Sequence, residues 1–188
     1  LITLAKRIYP DSPEEEKFAM LDNRLLSTPG IAVRTSTDLT IEMVEITRQN
    51  VMESLLVLGE YKDETIQAIE KGEERVDHYE DRLGTYMAEL SGHDMMDEDR
   101  KELSRLLHCI GDYERISDHA VNISETATEM HEKNLVFSPE AVKELNVMGR
   151  AVMEIVDLTS EAFIKNSPAM AKKVEPLEEM IDNLTVQL

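Results

Sequence analysis

Apolar residues along this chain recur at intervals of three and four positions, and strict alternation of apolar and polar residues is hard to find. Spacing of three and four places side chains on one face of an α-helix, whereas alternation marks a β-strand. The first long stretch carries apolar residues at Leu39, Met43, Ile46, Val51, Leu55 and Leu58. The pattern therefore predicts an all-α fold, an antiparallel bundle of long helices.

Capping and turn residues divide this pattern into helices. We expect the first long helix to begin near Ser36 to Asp38, whose side chains can cap it. Gly59 and Gly72 are candidate kinks within or between the first two helical stretches, and Ser91-Gly92-His93 ends the second. A third, very regular helix is expected over 97–133.

The second half of the chain carries two further start signals. Ser138-Pro139-Glu140 combines a capping side chain with a proline in the first turn, which predicts another helix there. Asn166-Ser167-Pro168 predicts a kink or turn before a last helical segment. Residues 1–35 are less regular, and we interpret them as a connector that leans on the bundle. Within it, Ser12-Pro13 resembles the start of a short amphipathic helix.

Two short strings recur at corresponding places along the chain, which indicates an internal repeat. They are Val51-Met52-Glu53 with Val152-Met153-Glu154, and Glu73-Glu74-Arg75-Val76-Asp77 with Glu178-Glu179-Met180-Ile181-Asp182. We therefore expect a first helical repeat at 36–134 and the start of a second, truncated repeat at 135–188. On this interpretation the chain is a piece of a longer protein.

The charge balance narrows the classes of partner. Thirty-nine acidic and twenty basic residues give a formal net charge of −19 at pH 7. Such a surface repels nucleic acid and anionic lipid, and it attracts cations or basic partners. No stretch approaches the roughly 18 to 20 apolar residues that cross a bilayer, so we expect a soluble chain without direct bilayer insertion. The single cysteine, Cys109, favours a reducing compartment.

Three Glu-x-x-x-Asp pairs are the candidate functional residues. They are Glu73 with Asp77, Glu114 with Asp118, and Glu178 with Asp182. Residues four apart share one face of a helix, so each pair brings two like charges together. If a second helix presents its pair opposite, the cluster needs protons, solvent or cations to offset the repulsion. Oxygen ligands suit Mg²⁺, Mn²⁺ or Ca²⁺, and iron is also feasible.

A solvated helix face is the ordinary alternative, because such spacings arise by chance in an acidic chain. Two observations favour a site. Helical periodicity places Glu114 and Asp118 beside Leu107 and Val121, at the border of the apolar stripe. The pairs at 73/77 and 178/182 also occupy corresponding places in the repeat. We expect Glu73 with Asp77 to be the neighbour of Glu114 with Asp118 across the bundle.

The string Asp112-Tyr113-Glu114-Arg115-Ile116-Ser117-Asp118-His119-Ala120 resembles the signature of PhoU proteins, helical regulators of bacterial phosphate uptake. This resemblance implies three-helix repeats whose Glu/Asp-x-x-x-Asp motifs hold clusters of divalent or iron-type metal ions. Glu114 and Asp118 match that motif best, and the pairs at 73/77 and 178/182 match it in looser surroundings. A fourth motif is absent, so the third pair is expected to form half of a site.

The string from Phe18 to Ala32 resembles the connector after the membrane region of Na⁺/phosphate cotransporter family proteins. It implies a cytoplasmic domain on the inner face of the bacterial inner membrane. Its partner is then the membrane portion of the same transporter polypeptide, and a homo-oligomer is left open as a second association. The function implied is regulatory and non-enzymatic.

Two other functions were weighed against this one. An acidic helical bundle that is structural or binds a partner without metal is the main alternative. A carboxylate-bridged oxidase is disfavoured, because none of the five histidines lies three residues after a glutamate. Phosphate-binding loops and nucleophile elbows are also missing from the sequence. We therefore expect no catalytic residues.

Overall fold

The computed structural model describes residues 13–187, with the side chains of 15–186, and this part of the chain contains helices and no strand. The predicted capping residue Ser12 lies outside the described residues. The α-helices are α1 (Pro13–Phe18), α2 (Pro29–Val57), α3 (Asp63–Ser91), α4 (Asp97–Glu132), α5 (Pro139–Ile164), α6 (Pro168–Ala171) and α7 (Val174–Gln187). A 3₁₀ turn, Asn23–Ser27, lies between α1 and α2. The prediction of an all-α fold of long helices is confirmed.

The start of α2 differs from the prediction. The helix begins at Pro29, before the expected caps near Ser36, because proline suits the first helical position, where its missing N–H needs no partner. The carbonyl of Thr28 accepts the amides of Ile31 at 3.0 Å and Ala32 at 3.2 Å. Gly30 lies in the first turn, near the Asp99 carboxylate.

Most other predicted boundaries are confirmed. Gly59 lies in the connection between α2 and α3, whereas Gly72 lies inside the continuous α3 and does not break it. Ser138 caps α5, and its hydroxyl accepts the amide of Ala141 at 3.1 Å. Asn166, with φ of 46°, ends the α5 segment in a left-handed conformation that asparagine tolerates.

The described helices form two compact units. The first contains the residues up to Glu42 together with His78–Asp112. Phe18 is 1% exposed there, and its ring meets the rings of His78 and Tyr79 edge-on at 4.8 Å each. The Tyr79 hydroxyl donates to Glu42 at 2.7 Å, and Lys17 pairs with the same carboxylate. Phe18 therefore anchors α1 within this unit.

The second unit contains Met43–Asp77 together with the residues from Tyr113 onward. Its core joins α2, α3 and α4 through Val51, Val57, Ile69, Ala120 and Ala127, all buried. Side chains of α5, among them Val152 and Val156, pack against that cluster. No helix within residues 13–187 combines the length and the apolar character that a membrane crossing demands.

Candidate functional site

All three predicted carboxylate pairs lie in the second unit. Glu73 and Asp77 belong to α3, Glu114 and Asp118 to α4, and the remaining pair, at 178 and 182, to α7. The side chains of Glu73, Glu114 and Asp118 are half-buried, whereas Asp77 and both members of the α7 pair are exposed. The α3 and α4 pairs are therefore the more sheltered ones.

Glu73 has a raised pKa in this arrangement. Burial raises the pKa of its carboxyl above the ordinary glutamate value, and the negative charges of Asp118, Asp77 and Glu74 raise that pKa further. Asp118 comes from α4, so the structure brings carboxylates of two helices together. We call Glu73, Asp77, Glu114 and Asp118 the carboxylate cluster, in which Glu114 is included because it lies one helical turn from Asp118 on α4.

A buried polar contact sets the register of the helices that carry the cluster. Asn50 of α2 is 3% exposed, and its Nδ2 donates to Ser117 Oγ of α4 at 3.0 Å. The same side chain lies against α3 at Gly72, where an added Cβ would come within 2.0 Å of Asn50 Oδ1. Gly72 directly precedes Glu73, and Ser117 directly precedes Asp118. This contact therefore helps to position Glu73 and Asp118, the residues that follow it on α3 and α4.

The sequence did not predict Asn50 and Ser117 as positioning residues, and it treated Gly72 only as a candidate kink. A signal for Asn50 was present in α2, where small polar residues recur at helical spacing on the side that becomes buried. They are Ser36, Thr40, Thr47, Asn50 and Ser54. Buried polar groups are nearly always hydrogen-bonded. Thr47 and Asn50 find their partners on α4, whereas the three other hydroxyls donate to carbonyls of α2 itself.

The donors of the cluster are all carboxylate oxygens, which hard divalent cations prefer. Burial is the main cause of the raised pKa of Glu73, and the negative charges around it raise that pKa further. The side chains of the cluster are not arranged as a finished coordination shell. Within residues 13–187, no group of three or more His, Cys, Asp or Glu side chains is placed so that it could hold a metal ion. Binding would therefore require side-chain rearrangement.

The charge on Glu73 is expected to reduce stability at neutral pH. Folding raises the pKa of the Glu73 carboxyl. The contribution of this group to stability is therefore fully present below the pKa that Glu73 has in the unfolded chain, where the carboxyl is protonated in both states. This contribution is lost as pH rises through the pKa of Glu73 in the folded chain. Glu73→Gln should therefore raise the free energy of unfolding by about 0.5 kcal/mol at neutral pH, the size of one like-charge helix pair. The gain should vanish near pH 4, where glutamate is largely protonated.

Thermal unfolding at both pH values measures this effect. Glu89→Gln is the matched control, because it removes the same charge from an exposed position on α3 that has no acidic residue three or four positions away. Equal shifts for the two variants at neutral pH would mean that only net charge matters and that the charges of Asp77 and Asp118 near Glu73 do not.

Comparison with known proteins finds a family match over part of the chain. Residues 40–127 match the family model described as the PhoU domain. The matched range contains the whole carboxylate cluster and the contact of Asn50 with Ser117, and it excludes the pair on α7. Comparisons with curated proteins and with solved structures give no significant match. Residues 40–127 are therefore similar to the PhoU domain, and the structure shows that this part of the chain is helical.

Proposed function

We propose that the chain is a regulatory domain of a Na⁺/phosphate cotransporter family protein and that it acts by binding a cation at the carboxylate cluster. The PhoU domain supports the coarser part, a regulatory helical domain related to phosphate transport. The observation that carries the cation-binding part is that the negative charge of Asp118 on α4 adds to burial in raising the pKa of Glu73 on α3.

The transporter context of the proposal comes from the string at 18–32. In the structure this string contains the buried Phe18, the 3₁₀ turn and the Pro29 start of α2. Leu26 of the turn is 5% exposed, and the Tyr86 hydroxyl donates to the carbonyl of Asp22 at 3.2 Å. The resemblance of this string to the connector of Na⁺/phosphate cotransporter family proteins is what supports a location on the cytoplasmic side of the inner membrane.

In this proposal Glu73 and Asp118 would hold the cation first, with Asp77 and Glu114 as further donors one helical turn away on each helix. The bound cation would supply positive charge that offsets the repulsion raising the pKa of Glu73. The side chains themselves bind and orient, and no bond of a substrate is made or broken. The domain thus acts as a binding module rather than an enzyme.

The test is the thermal midpoint of the purified chain in chelator and after addition of Mg²⁺, Mn²⁺, Ca²⁺ or Fe²⁺. At about 100 times the dissociation constant, a ligand of the folded state adds about 2.7 kcal/mol of stability. For a chain of this size that corresponds to a rise of roughly 5 to 10 °C. Asp118→Asn should lose this rise for the favoured metal, because it removes the donor from α4.

Glu178→Gln is the control, since the same loss of one charge on α7 should leave the rise intact. A midpoint that no metal changes at millimolar concentration would overturn the metal-binding part of the proposal. It would favour the alternative of an acidic bundle without metal, which is supported by the lack of a finished coordination shell among the described residues.

A further inference from the structure

The second unit carries an apolar groove that the carboxylate cluster does not use. The groove lies between α2 and α5 and encloses about 560 Å³. Its α2 side is formed by residues from Met52 to Gly59, and its α5 side runs from Val142 to Asp157. At 1.5 Å per residue this side is about 22 Å long, which is the length of four helical turns.

Several large apolar side chains remain exposed along this groove. Leu56 is 63% exposed, Val142 is 43% exposed, and Met52 and Phe137 are 37% exposed each. Isolated apolar residues on a surface are ordinary, but a contiguous apolar surface in a concave site indicates a binding site. The groove therefore suits the apolar face of a helix with side chains at three- and four-residue spacing.

The charges around the groove select the type of helix. Glu154 lines it, and Arg48 already pairs with the Asp157 carboxylate at 2.5 Å. Met52 and Leu56 also border a second hollow of about 540 Å³ lined by Glu53, Glu60 and Glu64. The lysine of that hollow, Lys62, pairs with Glu60 at 3.0 Å. Carboxylates therefore outnumber the basic residues, Arg150 and Lys62, in the linings of the two hollows.

We propose that this groove binds an amphipathic helix of a partner protein whose polar face is basic. Apolar anchors would enter between Leu56 and Val142, while lysines or arginines would face the glutamates at the rim. A second copy of this chain is disfavoured as the occupant, since each copy carries a net charge of −19. The proposal does not depend on metal binding, because none of the cluster carboxylates lines the groove.

The probe is a fluorescein-labelled helix of about 16 residues, made of leucine at positions i, i+3, i+4 and i+7 with lysine elsewhere. Binding to the full chain is followed by fluorescence anisotropy at about 0.15 M salt, where long-range charge effects are screened. We expect saturable binding. A scrambled peptide of the same composition should bind at least about tenfold more weakly. The same peptide with glutamate in place of lysine should not bind.

Charge-neutral variants test the location. Leu56→Gln with Val142→Gln should weaken binding about tenfold, the effect of losing one or two well-buried apolar anchors. Met20→Gln with Val186→Gln is the matched control, because both residues are exposed apolar side chains outside the groove. As an independent readout, a spin label on the peptide should broaden the methyl signals of Met52 and Met153 and leave that of Met20 unchanged.

Three results would overturn the proposal. Equal binding of the ordered and scrambled peptides would mean attraction by charge alone, and unchanged binding by the groove variant would place the helix elsewhere. Light scattering that shows a dimer of the chain, lost in the groove variant, would identify a second copy as the occupant.

Discussion

Replacing Gly72 by alanine is expected to lower the free energy of unfolding by about 2 kcal/mol, a typical cost of overpacking. Alanine normally stabilises a helix interior relative to glycine by about 1 kcal/mol, so the expected sign is unusual. The reason is the 2.0 Å approach of the new Cβ to Asn50 Oδ1. Asn50 is short, buried and bonded to Ser117, so it cannot move aside without losing that bond.

Chemical unfolding followed by circular dichroism measures this effect. Gly111→Ala is the matched control, because no atom lies within 4 Å of its added Cβ and it also lies inside a helix. Gly111→Ala should raise the free energy of unfolding by about 0.5 to 1 kcal/mol. Adding Asn50→Ala to Gly72→Ala should recover part of the loss, since it removes the clashing group. A stabilising Gly72→Ala would contradict the close packing of α2 against α3.

Replacing Phe18 by alanine is expected to lower the free energy of unfolding by about 3 kcal/mol or more, the range for replacing a buried aromatic side chain by alanine. Phe18 is 1% exposed, and it contacts the rings of His78 and Tyr79 and the Arg82 guanidinium, which lies 5.2 Å from its centroid. The short α1 has little stability of its own, because helices of this length depend on tertiary contacts.

Phe18→Leu removes the ring but keeps most of the apolar volume. It should lower the free energy of unfolding by less than half as much as Phe18→Ala does. Limited proteolysis should cut Phe18→Ala near Lys17 well before global unfolding, while the wild type stays intact under the same conditions. A cost below about 1 kcal/mol would mean that Phe18 does not anchor α1 in the first unit.

Local signals explain which parts of the fold could be predicted. The starts of α4 and α5 depend on nearby residues, acidic ones in the first turn at Asp97 and a capping serine with proline at Ser138, and both predictions are confirmed. The start of α2 was expected near Ser36 to Asp38, yet the helix begins at Pro29. Ser36 is buried inside it, and its hydroxyl donates to the carbonyl of Ala32 at 3.0 Å instead of capping a first turn.

The candidate site likewise has a part that local sequence signals predict and a part that depends on packing between helices. Helical spacing placed each Glu-x-x-x-Asp pair on one face, which needs only local geometry. The nearness of Glu73 to Asp118 depends on how α3 packs against α4, and Asn50 of a third helix, α2, lies against both, at Gly72 of α3 and Ser117 of α4. Correspondence in the repeat does not determine burial, since Glu178 and Asp182 are exposed whereas Glu73 is half-buried.

Our central proposal is that Glu73 and Asp118 together bind a cation, within the residues 40–127 that match the PhoU domain. Isothermal titration calorimetry of the chelator-treated chain with Mn²⁺ tests it most directly, with Asp118→Asn and Glu178→Gln titrated in parallel. Our account predicts saturable heat in the micromolar range for the wild type and for Glu178→Gln, and a loss of at least about tenfold in affinity for Asp118→Asn. Saturable heat that is unchanged in Asp118→Asn, or no saturable heat in the wild type, would contradict it.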